Sequence, residues 1–139
     1  MRDLPRQLTA EELAELFSGR TRFVERLARL DRPLEVAEQV ARELSNEEKA
    51  EALAAHPRIG EASPEQRGDQ ANVLAELAQL NRAYEEKFGF RFVVFVDRRP
   101  RSAIVPILRE RLRRTREEEL DTALGELVAI ARDRWIRTT

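Results

Sequence analysis

Residues 80–96 read LNRAYEEKFGFRFVVFV, and the two halves of this stretch follow different periods. In the first half Leu80, Tyr84 and Phe88 fall four apart and extend a series running through Val73, Leu74 and Leu77, which gives a long helix one apolar face. Gly89 accepts a positive φ without a Cβ penalty and ends that helix. The second half, FRFVVFV, has six apolar residues in seven, aromatic or β-branched, and by composition alone it is a buried strand. A strand needs a partner for its backbone groups, and no second segment of this kind occurs in the chain. The stretch therefore predicts a buried extended segment inside an all-α protein.

Helical spacing continues on both sides. Upstream, LTAEELAELFSG and RTRFVERLARL are amphipathic, the latter with Phe23, Val24, Leu27 and Leu30 on one side. DRPLEVAEQVARELS directs Leu34, Val36, Val40 and Leu44 inward, with Asp31 as the expected cap near Pro33. Ser45 and Glu48 form a capping box for the next helix, which Pro57 ends just before His56. A second box, Ser63 with Gln66 and with Pro64 at the first helical position, starts the long helix. Downstream, DRRPRS is a turn, and Ser102 is the expected cap of AIVPILRERLRRT, with Pro106 in its first turns. The last helix, EEELDTALGELVAIARDRW, aligns Leu120, Leu124, Leu127, Ala131 and Arg134. The expectation is six or more helices around one core, a single domain over residues 1–139.

The bulk numbers narrow the function. A chain of 139 residues buries a core without a covalent staple. With no cysteine there is no disulfide, thiolate metal site or cysteine nucleophile. One histidine argues against a zinc centre, which usually takes several imidazoles. Basic and acidic residues nearly cancel, 25 against 26, and this disfavours general nucleic-acid binding. MRDLPRQLTAEEL carries charge where a signal peptide needs an apolar run, and no segment has the makings of a membrane span, so a soluble cytoplasmic protein is expected. Arginine outnumbers lysine 23 to 2, and the runs RRPR and RERLRRTR read as solvated surface. An interaction or nucleic-acid-binding helix around residues 109–116 is the alternative they leave open.

Three positions carry possible chemistry. His56 stands at a helix end, where a histidine ordinarily does no more than interact with the dipole. The turn after it leads to the helix start at residue 63, whose first N–H groups and positive dipole end favour an anion. Glu65 and Gln66 lie in that first turn, where simple capping explains them. A carboxylate at Glu65 close to His56 would instead hold the imidazole's tautomer and raise its pKa. Arg134 continues the apolar stripe of the last helix, so it either snorkels to water or turns inward toward an anionic partner.

HPRIGE at 56–61, EQRG at 65–68, LNRAYEEKFGFRFVVFV at 80–96 and IARDRW at 130–135 together resemble the 2-oxo-4-hydroxy-4-carboxy-5-ureidoimidazoline (OHCU) decarboxylases of urate breakdown. The likeness runs from about Phe23 to Trp135. It implies an all-helical, cofactor-free and metal-free lyase, commonly a homodimer, that converts the anionic ureido acid OHCU to (S)-allantoin. It also implies that His56 is the acid/base, that Glu65 orients it, and that Arg134 pairs with substrate charge. Pro57, Gln66 and the backbone from Phe92 through Val96 (Val93, Val94 and Phe95 between) would contact the ligand. The chain departs from the family pattern at Ala62, where a serine is usual and Ser63 lies one place out of register. Phe95 and Val96 replace two small residues, and DRRPRS is longer than usual and lacks a glycine. These departures imply a reshaped pocket, and with it the further alternative of a family member that binds or converts another ureido acid.

Overall fold

The computed structural model describes residues 3–59 and 70–137, and among them every regular element is an α-helix. They run in the order α1 (Ala10–Phe17), α2 (Arg22–Leu27), α3 (Pro33–Glu43), α4 (Asn46–Ala54), α5 (Gln70–Phe88), α6 (Arg101–Arg111) and α7 (Arg116–Arg137). The ends are set by local chemistry. Capping boxes start α1 at Thr9 with Glu12 and α4 at Ser45 with Glu48, each cap hydroxyl accepting from the backbone N–H three residues on. Gly89 follows α5 with φ +80, the left-handed conformation that glycine adopts without strain.

The longest helix, α7, is the hub. It packs against α1, α3 and α4, and α2 bridges α1, α3 and α4 on the same side. Leu120, Leu124, Leu127 and Ala131 are buried along it, as the spacing predicts. The pair α5 and α6 forms a second layer. Between the layers runs the segment 90–96, which is neither helix nor strand. Phe90, Phe92, Val93 and Val94 are buried there. Tyr84 of α5 sits at ring-centroid distances of 4.6, 5.8 and 5.2 Å from Phe88, Phe90 and Phe92. Full burial of each such ring stabilises by roughly 1.5–3 kcal/mol, so this cluster joins α5 to the segment without a sheet.

Some expectations fail locally. Asp31 does not cap α3: Arg32 is the N-cap, in a left-handed conformation without a side-chain cap, while Asp31 accepts from Arg6. Because Pro33 takes the first helical position, Asp31 is one residue too early. Ser102 lies inside α6, whose N-cap is Pro100, and Pro106 is an interior residue of that helix. Leu30 and Val36 are each 37% exposed. Leu30 falls beyond the end of α2, and on α3 the buried series is Pro33, Leu34, Ala37, Val40 and Ala41, one position off Val36. The capping box proposed at Ser63, Pro64 and Gln66 lies outside the described residues.

Candidate active site

Ala55 closes α4 and His56 occupies the bend that follows. The last carbonyls of a helix lack intrahelical partners. Here Arg91, from the segment after α5, supplies one: its Nη1 donates to the Ala54 carbonyl at 2.6 Å and to the His56 carbonyl at 2.7 Å. Two more ties fix the loop beyond. Arg58 donates to both carboxylate oxygens of Glu85 at 2.7 and 3.0 Å, and the buried Asn81 donates through Nδ2 to the Ile59 carbonyl at 2.9 Å. The series Asn81, Tyr84, Glu85 and Phe88 thus does two tasks on α5. Tyr84 and Phe88 face the core, while Asn81 and Glu85 hold the histidine loop.

That loop forms one wall of a pocket of about 250 Å³, contributing His56, Pro57, Arg58 and Ile59. The opposite wall is Phe92, Val94 and Val96, with Arg101 from α6 and Arg134 from α7. The alternation along residues 92–96 follows the two-residue period of extended chain. Val93 and Phe95 consequently lie off the wall, and their backbone groups are used elsewhere. The Val93 carbonyl accepts from Arg111 Nη1 at 2.8 Å, and the Phe95 N–H donates to Glu126 at 3.3 Å. Of the two departures from small residues, only Val96 narrows the pocket. A larger cleft of about 490 Å³ opens beyond Arg58 and Ile59 along α5, but it holds no imidazole. The chain's one histidine lies on the smaller pocket.

Arg134 turns inward. Its half-buried guanidinium donates through Nη1 to the Leu16 carbonyl at 2.9 Å and to the Ser18 hydroxyl at 2.7 Å, at the carbonyl-rich end of α1. Burial pulls its pKa down from the ordinary arginine value. His56 responds in the same sense: burial, then the charges of Arg134 and Arg91, lower its pKa to about 4. Glu65, the carboxylate that would raise it, lies outside the described residues. With no ligand in the pocket, the imidazole is neutral at pH 7. Its Nδ1 is buried with no hydrogen-bond partner among the described residues. Glu65, Gln66, Ala62 and Ser63 lie outside those residues. Among the described residues no three His, Cys, Asp or Glu side chains gather as a metal site.

Behind the pocket wall lies a buried polar network that sequence reasoning missed. Glu119, fully buried, accepts from Tyr84 at 2.6 Å, Arg111 at 2.7 Å and Arg114 at 2.9 Å. The Arg111 guanidinium also lies 4.5 Å from the centroid of Phe92. The run RERLRRTR is therefore not all solvated surface: Arg111 is 6% exposed. The signal was available, since Ile104, Leu108 and Arg111 share a helical stripe, the criterion that singled out Arg134. For Arg91 and Arg101 no local signal exists.

Comparison with known proteins agrees with this architecture. The OHCU decarboxylase family model matches residues 2–135. A 2-oxo-4-hydroxy-4-carboxy-5-ureidoimidazoline decarboxylase of Halalkalicoccus jeotgali is 30% identical over 99 residues, covering 63% of this chain and 56% of that protein. A crystal structure of OHCU decarboxylase in the presence of (S)-allantoin superimposes with TM-score 0.75 at 26% identity, over 91% of this chain and 96% of the other. An (S)-allantoin synthase crystal structure shares the fold at TM-score 0.70 and 23% identity, over 91% of this chain. The chain spans just over half the length of the Halalkalicoccus protein (56%) and 48% of the synthase chain. With the family pattern followed from residue 2 to residue 135, the chain belongs to the OHCU decarboxylase family.

Proposed function

We propose that this protein decarboxylates OHCU to (S)-allantoin, as a single-domain cytoplasmic homodimer that uses no cofactor. The observation that carries the reading is the convergence of His56, Arg134 and the Phe92–Val94–Val96 wall, far apart in sequence, on one pocket. Family membership and the allantoin-associated structural neighbour support the substrate class.

OHCU bears a carboxylate and a hydroxyl on one carbon, next to an imine. When the carbon–carboxylate bond breaks, its electron pair enters the ring and the imine accepts charge at nitrogen. The hydroxyl then becomes a carbonyl as its proton leaves, and a proton reaches the neighbouring carbon from one face. Overall, one proton replaces CO2. A neutral imidazole suits this sequence, because it takes the hydroxyl proton and as imidazolium returns one to carbon. Arg134, braced on α1, sets a positive charge beside the pocket, where it stabilises the charge that moves onto the ring. Glu65 is proposed to orient His56, and Pro57, Ala62, Ser63 and Gln66 to contact the ligand together with Phe92, Val94 and Val96. The Val96 side chain on the wall favours a second reading, in which the same site selects a different ureido acid.

The test is direct. OHCU generated freshly from urate is followed by circular dichroism with and without the protein, and the same protein is sized by light scattering. Loss of OHCU faster than the spontaneous rate, giving enantiopure (S)-allantoin, is expected; a rate and racemic product indistinguishable from the blank would sink the proposal. Turnover of another ureido acid with OHCU left untouched would select the second reading.

A further inference from the structure

Three arginines stand on the pocket wall, and they are not equivalent. Arg58 is engaged by both oxygens of Glu85, and Arg134 is tied to the Leu16 carbonyl and the Ser18 hydroxyl. The Arg101 side chain makes no hydrogen bond or ion pair with any described residue, and its Nε is buried without a partner. A buried N–H donor left unmade is costly, and native proteins rarely keep one without reason. Arg101 is also the first residue of α6, the end of a helix where a cation is disfavoured. Its position is nonetheless well determined. Arg99 donates to the Phe95 and Val96 carbonyls at 2.6 and 2.9 Å, and Asp97 and Arg98 hold φ of 50 and 64, bending the chain sharply from the wall into α6. Among the described residues of the wall there is no carboxylate to neutralise it.

We propose that Arg101 is a further substrate-binding residue, which receives the carboxylate of the ureido acid and selects anionic over neutral ligands. The assignment rests on reading the pocket as a ureido-acid site. Its physical signature is distinctive. The carboxylate loses its charge as CO2 departs, so a guanidinium beside it holds the ground state at least as well as the transition state. Arg101 therefore sets affinity, while the groups facing the developing charge, His56 and Arg134, set the rate.

The experiment measures OHCU kinetics and calorimetric binding of allantoate, a ureido carboxylate, and of neutral (S)-allantoin, for the wild type, Arg101→Gln and Arg101→Lys. Unchanged thermal melts show that the fold survives. Arg101→Gln is expected to raise KM for OHCU and to weaken allantoate by about ten- to a hundredfold, the range for a charge-assisted hydrogen bond. It leaves kcat within about threefold and (S)-allantoin binding nearly unchanged, because uniform binding is what has been removed. Arg101→Lys recovers part of the loss. An unchanged KM, or equal weakening of the charged and neutral ligands, overturns the assignment. A protein that leaves OHCU untouched yet binds allantoate through Arg101 removes the decarboxylase reading and keeps this one. A protein that turns over OHCU with KM indifferent to Arg101 does the opposite.

Discussion

Burial and two neighbouring guanidinium groups hold His56 in its neutral form, with a pKa near 4. The ordinary value is 6.5, so between those limits the unfolded chain binds a proton that the folded protein does not. The stability linked to this group is fully present above pH 6.5 and is lost as pH falls toward 4, by on the order of 3 kcal/mol. Urea midpoints at pH 7 and pH 4.5 should fall further for the wild type than for His56→Asn; parallel losses would mean that the imidazole is not held neutral. The same substitution should cost about 10²–10⁴ in kcat if His56 moves the protons. In the wild type, kcat/KM should hold to well below pH 6 before its acidic limb, since that ratio reports the free protein.

At the scale of elements, the end of α4 decides where the imidazole stands. Arg91 caps that end from outside the helix and adds a positive charge that disfavours imidazolium. It is a positioning residue. Arg91→Ala should destabilise the fold by about 1–3 kcal/mol, the range for a hydrogen bond to a charged group. It should lower kcat more than it changes KM. It should also move the acidic limb of kcat/KM upward, because removing a cation lets His56 protonate at higher pH. A stability loss with that limb unmoved would reduce Arg91 to a cap alone. Ser45→Ala, at the other end of α4, should cost about 1 kcal/mol without altering the pH profile.

On the scale of the whole molecule, the two layers meet through Glu119. Arg111 from α6, Arg114 from the turn before α7 and Tyr84 from α5 converge on this one carboxylate, and Arg111 carries the connection to the Val93 carbonyl behind the pocket wall. Breaking a buried ion pair by removing one partner costs about 3–5 kcal/mol, chiefly because the other charge is left unpaired. Glu119→Ala should show that loss in chemical denaturation and should raise KM by loosening the Phe92–Val96 wall. Tyr84→Phe keeps the ring in its aromatic cluster and removes one hydrogen bond, so it should cost only about 1 kcal/mol. Equal losses from the two variants would contradict the network as the junction between layers.

What the sequence determined by itself is what depends on near neighbours along the chain. Helix faces, the capping box at Ser45, the stop at Gly89 and the unpaired extended segment all follow from residues within a few positions of one another. The lone histidine and the apolar stripe of α7 extended this to singling out His56 and Arg134, and the family resemblance attached roles to them. The tertiary structure alone decided which arginines are buried, which carbonyls they hold and what charge surrounds the imidazole. Arg91 meets Ala54 across 37 residues of chain, and Arg134 meets Leu16 across 118. No local period encodes such pairs. An arginine's side chain is long enough to reach water or a buried carbonyl from the same backbone position, and only the packing of distant helices closes one of those routes.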